Sequence, residues 1–382
     1  MKYEVIVVGA GPAGSAAARE CAQLGLSVLC LEEHGTIGYP VQCAGLLSNA
    51  AFAECRVRSE RSVLNKVTGA RVISGAGSEL LIDAKTTRAF VVDRGTLDRE
   101  MAESAADTGA GFRLRTAVYD VRGNAVLTRG VNGHEEIGFD ILIAADGPRS
   151  TIARLYGMER AQTYLAGIQA DMPGVCDPRY VRIYPDASPE FFGWSIPTGP
   201  GRIRVGMCGR SQVRERFALF AGKFGTSTTH FVTGTLPLGV MERTYKNRTL
   251  FVGDAAGFPK PTSGGGIYTG IRSARHAAAV AARACEQGRY DDPVLAGYER
   301  RWQEDFGREL ELGYRLFGMR QKMSAEDTDA LIQALNTPSI LRTIEKHGDM
   351  DRPGLLIKKL LVNPAILRLV RPLVQAGLHT LF

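Results

Sequence analysis

The chain has 382 residues, 45% of them hydrophobic and 44 of them glycine, enough for two or three packed regions and unlike either a disordered chain or a small disulfide-stapled domain. Its formal charge of +7 is compatible with nucleic acid, an anionic membrane surface or a phosphorylated substrate, but the middle of the chain has no dense basic-aromatic stripe. From Pro353 to Phe382 there is no acidic residue beside Lys358, Lys359, Arg368 and Arg371, so lipid phosphate or a membrane surface is favoured over nucleic acid.

No apolar stretch reaches the roughly 18 residues of a spanning helix. The start, MKYEVIVVGAG, does not read as an export signal, and seven scattered cysteines without a CxxC pair predict a reducing cytoplasm. Six dispersed histidines give no HxH or HExxH pair, so no metal site is expected.

In chain order, Tyr3 to Val8 reads as a buried strand, Pro12 to Leu24 as an Ala-rich helix, and Ser27 to Leu31 as a second strand ending in Glu32. The turn between the first two carries Gly9, Gly11 and Gly14 in GxGxxG spacing, with Pro12 in the helix's first turn, where its missing N–H is not needed. Glycines there permit a tight turn and the approach of a pyrophosphate to the helix N-terminus. Glu32 is placed to accept hydrogen bonds from a ribose. Arg58 to Ala89 loses helical periodicity and predicts an inserted sheet.

Arg94 to Gly109 then spaces Leu97, Met101 and Ala105 as a helix, and GFRLRTAVYDV returns to strand. After the apolar strand FDILIAADGPRS, Gly157 to Gly239 is mostly strand-like, with the aromatic cluster FFGWSIP at its centre. TLFVGDAAG and the glycine-rich FPKPTSGGG then lead into a long small-residue helix. Beyond it, Tyr298, Trp302 and Phe306 line one helical face.

The expected organisation is a discontinuous nucleotide-binding domain (1–57, 90–156 and 245–290), a sheet domain for substrate (58–89 and 157–244) and a helical C-terminal region (291–382). The second glycine-acid turn, Gly253-Asp254, favours a flavin: its carboxylate would hold a ribityl hydroxyl. The helix entry at Gly264 to Ile267 would face the isoalloxazine and stabilise negative charge on it.

GAGPAG, LEE, VVDRGTLDREMAESA, ADGPRS and FVGDAAGFPKPTSGGG resemble the glutathione-reductase-type, Rossmann-like α/β FAD fold in its p-hydroxybenzoate hydroxylase-like branch, with an inserted antiparallel substrate sheet. GYPVQCAGLLS and the FxWxIP stretch at Phe192, Trp194, Ile196 and Pro197 resemble, more narrowly, the geranylgeranyl reductase family, in particular its archaeal digeranylgeranylglycerophospholipid branch. The resemblance implies FAD as cofactor and saturation of isoprenoid double bonds.

It implies site roles as well. Gly9, Gly11, Ala13 and Gly14 meet the pyrophosphate, and Glu32 the ribose. Cys43, Ala44 and Leu46 lie beside the flavin, Arg94 near its ribityl-phosphate region and Val118 beside adenine, while Asp254, Gly266 and Ile267 form the second flavin-holding segment. Two departures stand out: phenylalanine at 192 and isoleucine at 196 replace tyrosine and phenylalanine, and Cys43 is followed by Ala44 and Gly45 where many relatives have two glycines.

An isolated alkene is a poor hydride acceptor, so its reduction needs a proton donor and an apolar channel. Cys43 is the candidate for tuning the flavin or delivering the proton, although a free cysteine also serves as a small buried hydrophobe. Tyr184, Phe191, Phe192, Trp194 and Pro197 are expected to line the channel, with ordinary sheet core as the alternative for such a cluster. The partners implied are a prenylated glycerophospholipid and an external electron donor, either NAD(P)H or ferredoxin-like. The basic C-terminal segment, broken at Pro364 and Pro372, has the composition of an interfacial helix pair and suggests peripheral attachment to the inner face of the membrane. A chlorophyll-type geranylgeranyl reductase and a flavin-dependent aromatic monooxygenase stay open as alternatives.

Overall fold

The computed structural model describes residues 1–57, 60–364 and 366. The opening strand, Lys2–Val8, lies parallel to Val28–Leu31 on one side and to Gly133–Ala144 on the other. Gly111–Arg113 extends this sheet at one end and Thr249–Phe251 at the other, so late residues complete a sheet begun at the start of the chain. Val5, Ile6, Val7, Ile141, Leu142 and Ile143 are fully buried, which is why these strands read as continuous apolar runs rather than alternating ones.

The helices Pro12–Gln23 and Ile267–Gln287 pack against each other. Small residues permit it: a Cβ on Gly253 would come within 2.9 Å of the Ala13 methyl, and one on Gly270 within 3.4 Å. An antiparallel ribbon, Ala117–Arg122 with Ala125–Gly130, joins the first half of Gly133–Ala144.

The second sheet has seven strands in the order His230–Leu238, Thr163–Pro173, Arg202–Gly209, Gly193–Gly199, Tyr180–Tyr184, Gly69–Ile73 and Glu79–Asp83. A three-stranded sheet of Leu46–Ser48, Ala89–Val92 and Val63–Val67 lies alongside, so the segment expected to be one inserted sheet divides between two. Alternate residues of the seven-stranded sheet serve opposite faces. Ile168, Ala170, Met172, Ile203, Val205 and Met207 pack beneath the helix Val213–Gly222 through Phe217 and Phe220. That helix interrupts a stretch expected to be mostly strand: Phe217, Phe220 and Ala221 are spaced to bury one helical face, over too few residues to stand out between glycine-rich neighbours.

In the C-terminal region, Asp292–Trp302 and Arg308–Arg320 are joined by a π-helical turn, Gln303–Gly307. The wider turn lets Trp302 and Phe306 stack, with ring centroids 5.9 Å apart, and both close on Phe258, at 4.9 and 5.4 Å. Three further helices follow, Ala325–Leu335, Pro338–His347 and Gly354–Leu361, the first opened by a Ser324 and Asp327 capping box. Lys358 and Lys359 lie on the last; Arg368, Arg371 and Pro372 fall outside the described residues.

Candidate active site

The turn after the first strand is closed to any side chain in two places. Gly9 has φ +96° and a Cβ there would lie 2.5 Å from the Ala145 oxygen; on Gly14 it would lie 1.8 Å from the Gly9 oxygen. Gly11, in contrast, has nothing within 4 Å of where its Cβ would be, and it precedes a helix whose first amides have no side-chain cap. A closed turn beneath an open, uncapped helix end fits a pyrophosphate. Ala13, in the first turn, faces Gly253 and Gly270.

Glu32 ties this turn to the second strand, accepting from the Ala10 N–H at 2.8 Å and from the His34 N–H at 2.9 Å. A carboxylate offers about four acceptor sites, which leaves capacity for ribose hydroxyls. Val118 sits at the same corner, two residues beyond Thr116, whose N–H donates to the Glu32 carbonyl at 2.8 Å.

Cys43, Arg94 and Asp254 converge at a second centre. The Arg94 guanidinium holds Asp98 through two bonds of 2.8 Å and also reaches the Cys43 sulfur. The Gly45 N–H donates to that sulfur as well, at 3.4 Å. Burial opposes the charge on Arg94, but Asp98 and Cys43 outweigh it and its pKa lies well above the usual value.

Asp254 is part-buried, and its carboxylate accepts no hydrogen bond from any described residue. Burial pushes its pKa up to about 6, with Arg94 pulling the other way. A Cβ on Gly266 would lie 2.8 Å from its Oδ1, so the carboxylate abuts the start of Ile267–Gln287, which has no side-chain cap. An unpartnered, part-buried carboxylate beside an uncapped helix end fits the hydroxylated chain and electron-rich ring edge of FAD. Arg94 thus stands between Asp98 and Cys43.

The aromatic wall forms on the face of the seven-stranded sheet away from Val213–Gly222. Phe192 and Trp194 cluster there with Leu165, Cys208 and Leu236, and with Tyr314 and Phe317 from the C-terminal region. Phe191 stacks on Phe192 at 4.3 Å, and its ring would lie 3.6 Å from a Cβ on Gly264, so the wall reaches the loop before the uncapped helix. Ala44 and Leu46 continue it with Trp194 and Ile196.

Two expected members do not join. Tyr184 pairs with Gly193 and meets Phe220 and Phe224 at 5.1 and 5.8 Å, on the opposite face. Pro197 alternates with Trp194 and Ile196 and points the same way as Gly193, its carbonyl accepting from Asn65 at 3.3 Å. Strand alternation is the reason in both cases.

Residues the sequence did not single out complete the surroundings. Gln169, Asp171 and Arg204 occupy alternate positions on the same face. Lys260, in the KPTSGGG loop, forms a buried ion pair with Asp351, which also bonds Ser48, and its Nζ donates to the Met350 carbonyl at 2.9 Å. One C-terminal carboxylate thus fastens the Lys260 loop and the end of the Leu46–Ser48 strand, which follows the Cys43 loop. Only the loop lysine's position next to a glycine run hinted at it.

Two grips on one elongated cofactor, joined to a sheet with an aromatic wall, define an FAD-binding oxidoreductase, and the family model described as FAD binding domain matches residues 2–216. The chain belongs to the digeranylgeranylglycerophospholipid reductase family. It is 34% identical over 390 residues to digeranylgeranylglycerophospholipid reductase 2 of Methanothermobacter thermautotrophicus, covering 97% of this chain and 99% of that protein. Identity to the enzyme of the same name from Methanopyrus kandleri is 31% over 372 residues, with coverage of 90% and 93%.

In fold, the chain is similar to a geranylgeranyl bacteriochlorophyll reductase-like protein from Thermoplasma acidophilum, with a TM-score of 0.88, 24% identity and coverage of 97% and 99%. It also shares the fold of p-nitrophenol 4-monooxygenase from Pseudomonas putida, at a TM-score of 0.70, 18% identity and coverage of 90% and 97%.

Proposed function

We infer that this chain reduces the carbon–carbon double bonds of geranylgeranyl chains carried on a glycerophospholipid, a step of archaeal membrane lipid synthesis. The observation that carries this reading is the position of the Cys43 centre between the uncapped helix at Gly266 and the aromatic sheet face. Reduced FAD, when bound, supplies the hydride. The chain's own residues must do the rest. Phe192, Trp194 and Leu165 offer a flexible prenyl chain an apolar wall, stabilising it by burial at roughly 25 cal/mol per Å² rather than by hydrogen bonds. Cys43, held by Arg94 and the Gly45 N–H beside that wall, is the proposed source of the proton that an unactivated alkene requires.

The electron donor is external and of the nicotinamide or ferredoxin-like class. Attachment to the membrane surface would run through Gly354–Leu361, where Leu355 is 56% exposed next to Lys358 and Lys359. Among the described residues, no helix is long and apolar enough to cross a membrane. The test is anaerobic: protein with its flavin reduced is mixed with digeranylgeranylglycerophospholipid, and the flavin spectrum and lipid mass are followed. Flavin reoxidation with a gain of two hydrogens per bond is expected. A flavin that stays reduced, or a product that forms only with oxygen and contains it, overturns the reading in favour of a monooxygenase.

A further inference from the structure

The segment Cys43–Gly45 has no regular structure of its own, yet three successive carbonyls each accept from a different strand. The Cys43 carbonyl accepts from Gln169 Nε2 at 2.9 Å, the Ala44 carbonyl from Arg204 Nη1 at 2.9 Å, and the Gly45 carbonyl from the Val92 N–H at 2.8 Å. The last is enforced by shape. Gly45 has φ +74°, and a Cβ would lie 2.4 Å from the Val92 oxygen. The other two holds come from side chains of the substrate sheet.

Both side chains are themselves tightly placed. Arg204 sits directly across from Asp171 and binds it through two bonds, of 2.7 and 3.1 Å, which orients the fork so that its remaining nitrogen meets Ala44. Gln169 sits across from Gly206, which also pairs with Trp194. A Cβ on Gly206 would lie 2.4 Å from Trp194 Cζ2 and 2.7 Å from Gln169 Cβ. The missing side chain thus lets the indole lie against Gln169. The aromatic wall and the residue that holds the Cys43 carbonyl are packed on one another.

We propose that Gln169 and Arg204 are positioning residues: they fix the Cys43–Ala44 backbone to the substrate sheet, so that the thiol keeps one distance from a chain lying on Trp194. The proposal rests on the Cys43 site described above, and it explains why two polar side chains are buried on an otherwise aromatic face. A carbonyl released from its donor leaves the loop free to turn the sulfur away from Arg94.

The test uses the flavin-loaded protein and the variants Gln169→Met, which keeps the shape and removes the donor, and Arg204→Lys, which keeps a charge for Asp171 but not the fork. Alkylation by N-ethylmaleimide is mapped by mass spectrometry, with the partly exposed Cys176 in the same sample as reference. The Cys43-to-Cys176 rate ratio is expected to rise roughly threefold to tenfold in Gln169→Met, the range that one lost hydrogen bond gives, and less in Arg204→Lys. Turnover should fall mainly in kcat rather than KM. A rate ratio equal to that of the unsubstituted protein in Gln169→Met overturns the proposal, whatever the lipid assay shows. Should the ratio rise in a protein that never reduces prenyl lipid, the positioning role stands and the proposed substrate falls.

Discussion

The two faces of the seven-stranded sheet are made by the same strands and differ in nearly everything else. Beneath Val213–Gly222 the alternate residues are Ile168, Ala170, Met172, Ile203, Val205 and Met207, an apolar layer closed by phenylalanines. One residue along, the other face carries Gln169, Asp171 and Arg204 among Leu165, Phe192 and Trp194, with Gly167, Gly206 and Gly234 leaving room above them. Gln169 and Arg204 are buried, and such burial is costly unless every group of this polar trio is partnered. Here the partners are the loop that carries Cys43 and the trio's own ion pair. The first face secures the fold, and the second arranges a site.

The largest effect should come from breaking the first face. Met207 is fully buried, and Met207→Ala should lower stability by about 2–5 kcal/mol through lost burial and the cavity left behind. Thermal unfolding checks this. Turnover per bound flavin, measured well below the melting point, should be unchanged; a matching loss of turnover would show that the two faces are not separable.

A second substitution sharpens the contrast through charge. Asp254 holds its proton more tightly in the fold, at about 6 against the ordinary 3.8, so its contribution to apoprotein stability is full below the lower value and is lost as pH rises through the higher. Asp254→Asn removes that loss, and the apoprotein should gain roughly 2–3 kcal/mol at pH 7 while gaining little at pH 4. Retention of FAD should weaken at the same time. Urea unfolding at the two pH values, with flavin release by fluorescence, reads both signs.

How much of this was legible follows the distance over which each feature is built. The cradle at Gly9, Gly11 and Gly14 and the grip at Asp254 and Gly266 are local: strand, glycines and helix are adjacent in sequence, and their periods show. The clamp on Cys43 is not, since Gln169 lies 126 residues from the carbonyl it holds and Arg204 160 from its own. Nor is the pair of Lys260 with Asp351, 91 residues apart. A lone glutamine or arginine in a strand reads as solvent-facing until the pairing register is known. The same lack of register put Tyr184 and Pro197 on the wall with Trp194, when a single step along each strand turns them to the other side.

A smaller effect is expected at Gly206, where the faces can be set against each other within one strand. Gly206→Ala adds a methyl 2.4 Å from the Trp194 ring, and overpacking of that kind costs about 1–3 kcal/mol. Its neighbour Met207 points the opposite way, so the cost should be accompanied by a raised KM for prenyl lipid and a shifted tryptophan fluorescence, neither of which Met207→Ala should produce.

Tyr184 gives the smallest change and the cleanest division. Its ring is wedged between Phe220 and Phe224 on the face opposite Trp194, so it does not face the Cys43 centre. Tyr184→Phe should leave stability within about 0.5 kcal/mol and leave kcat and KM unaltered. Phe192→Ala, eight residues further on but on the other face, should raise KM for the lipid while kcat for bound substrate changes less. If Tyr184→Phe instead lowers turnover at unchanged melting temperature, the prenyl chain runs on the helix-covered face, and the division between a structural side and a working side of this sheet has to be redrawn.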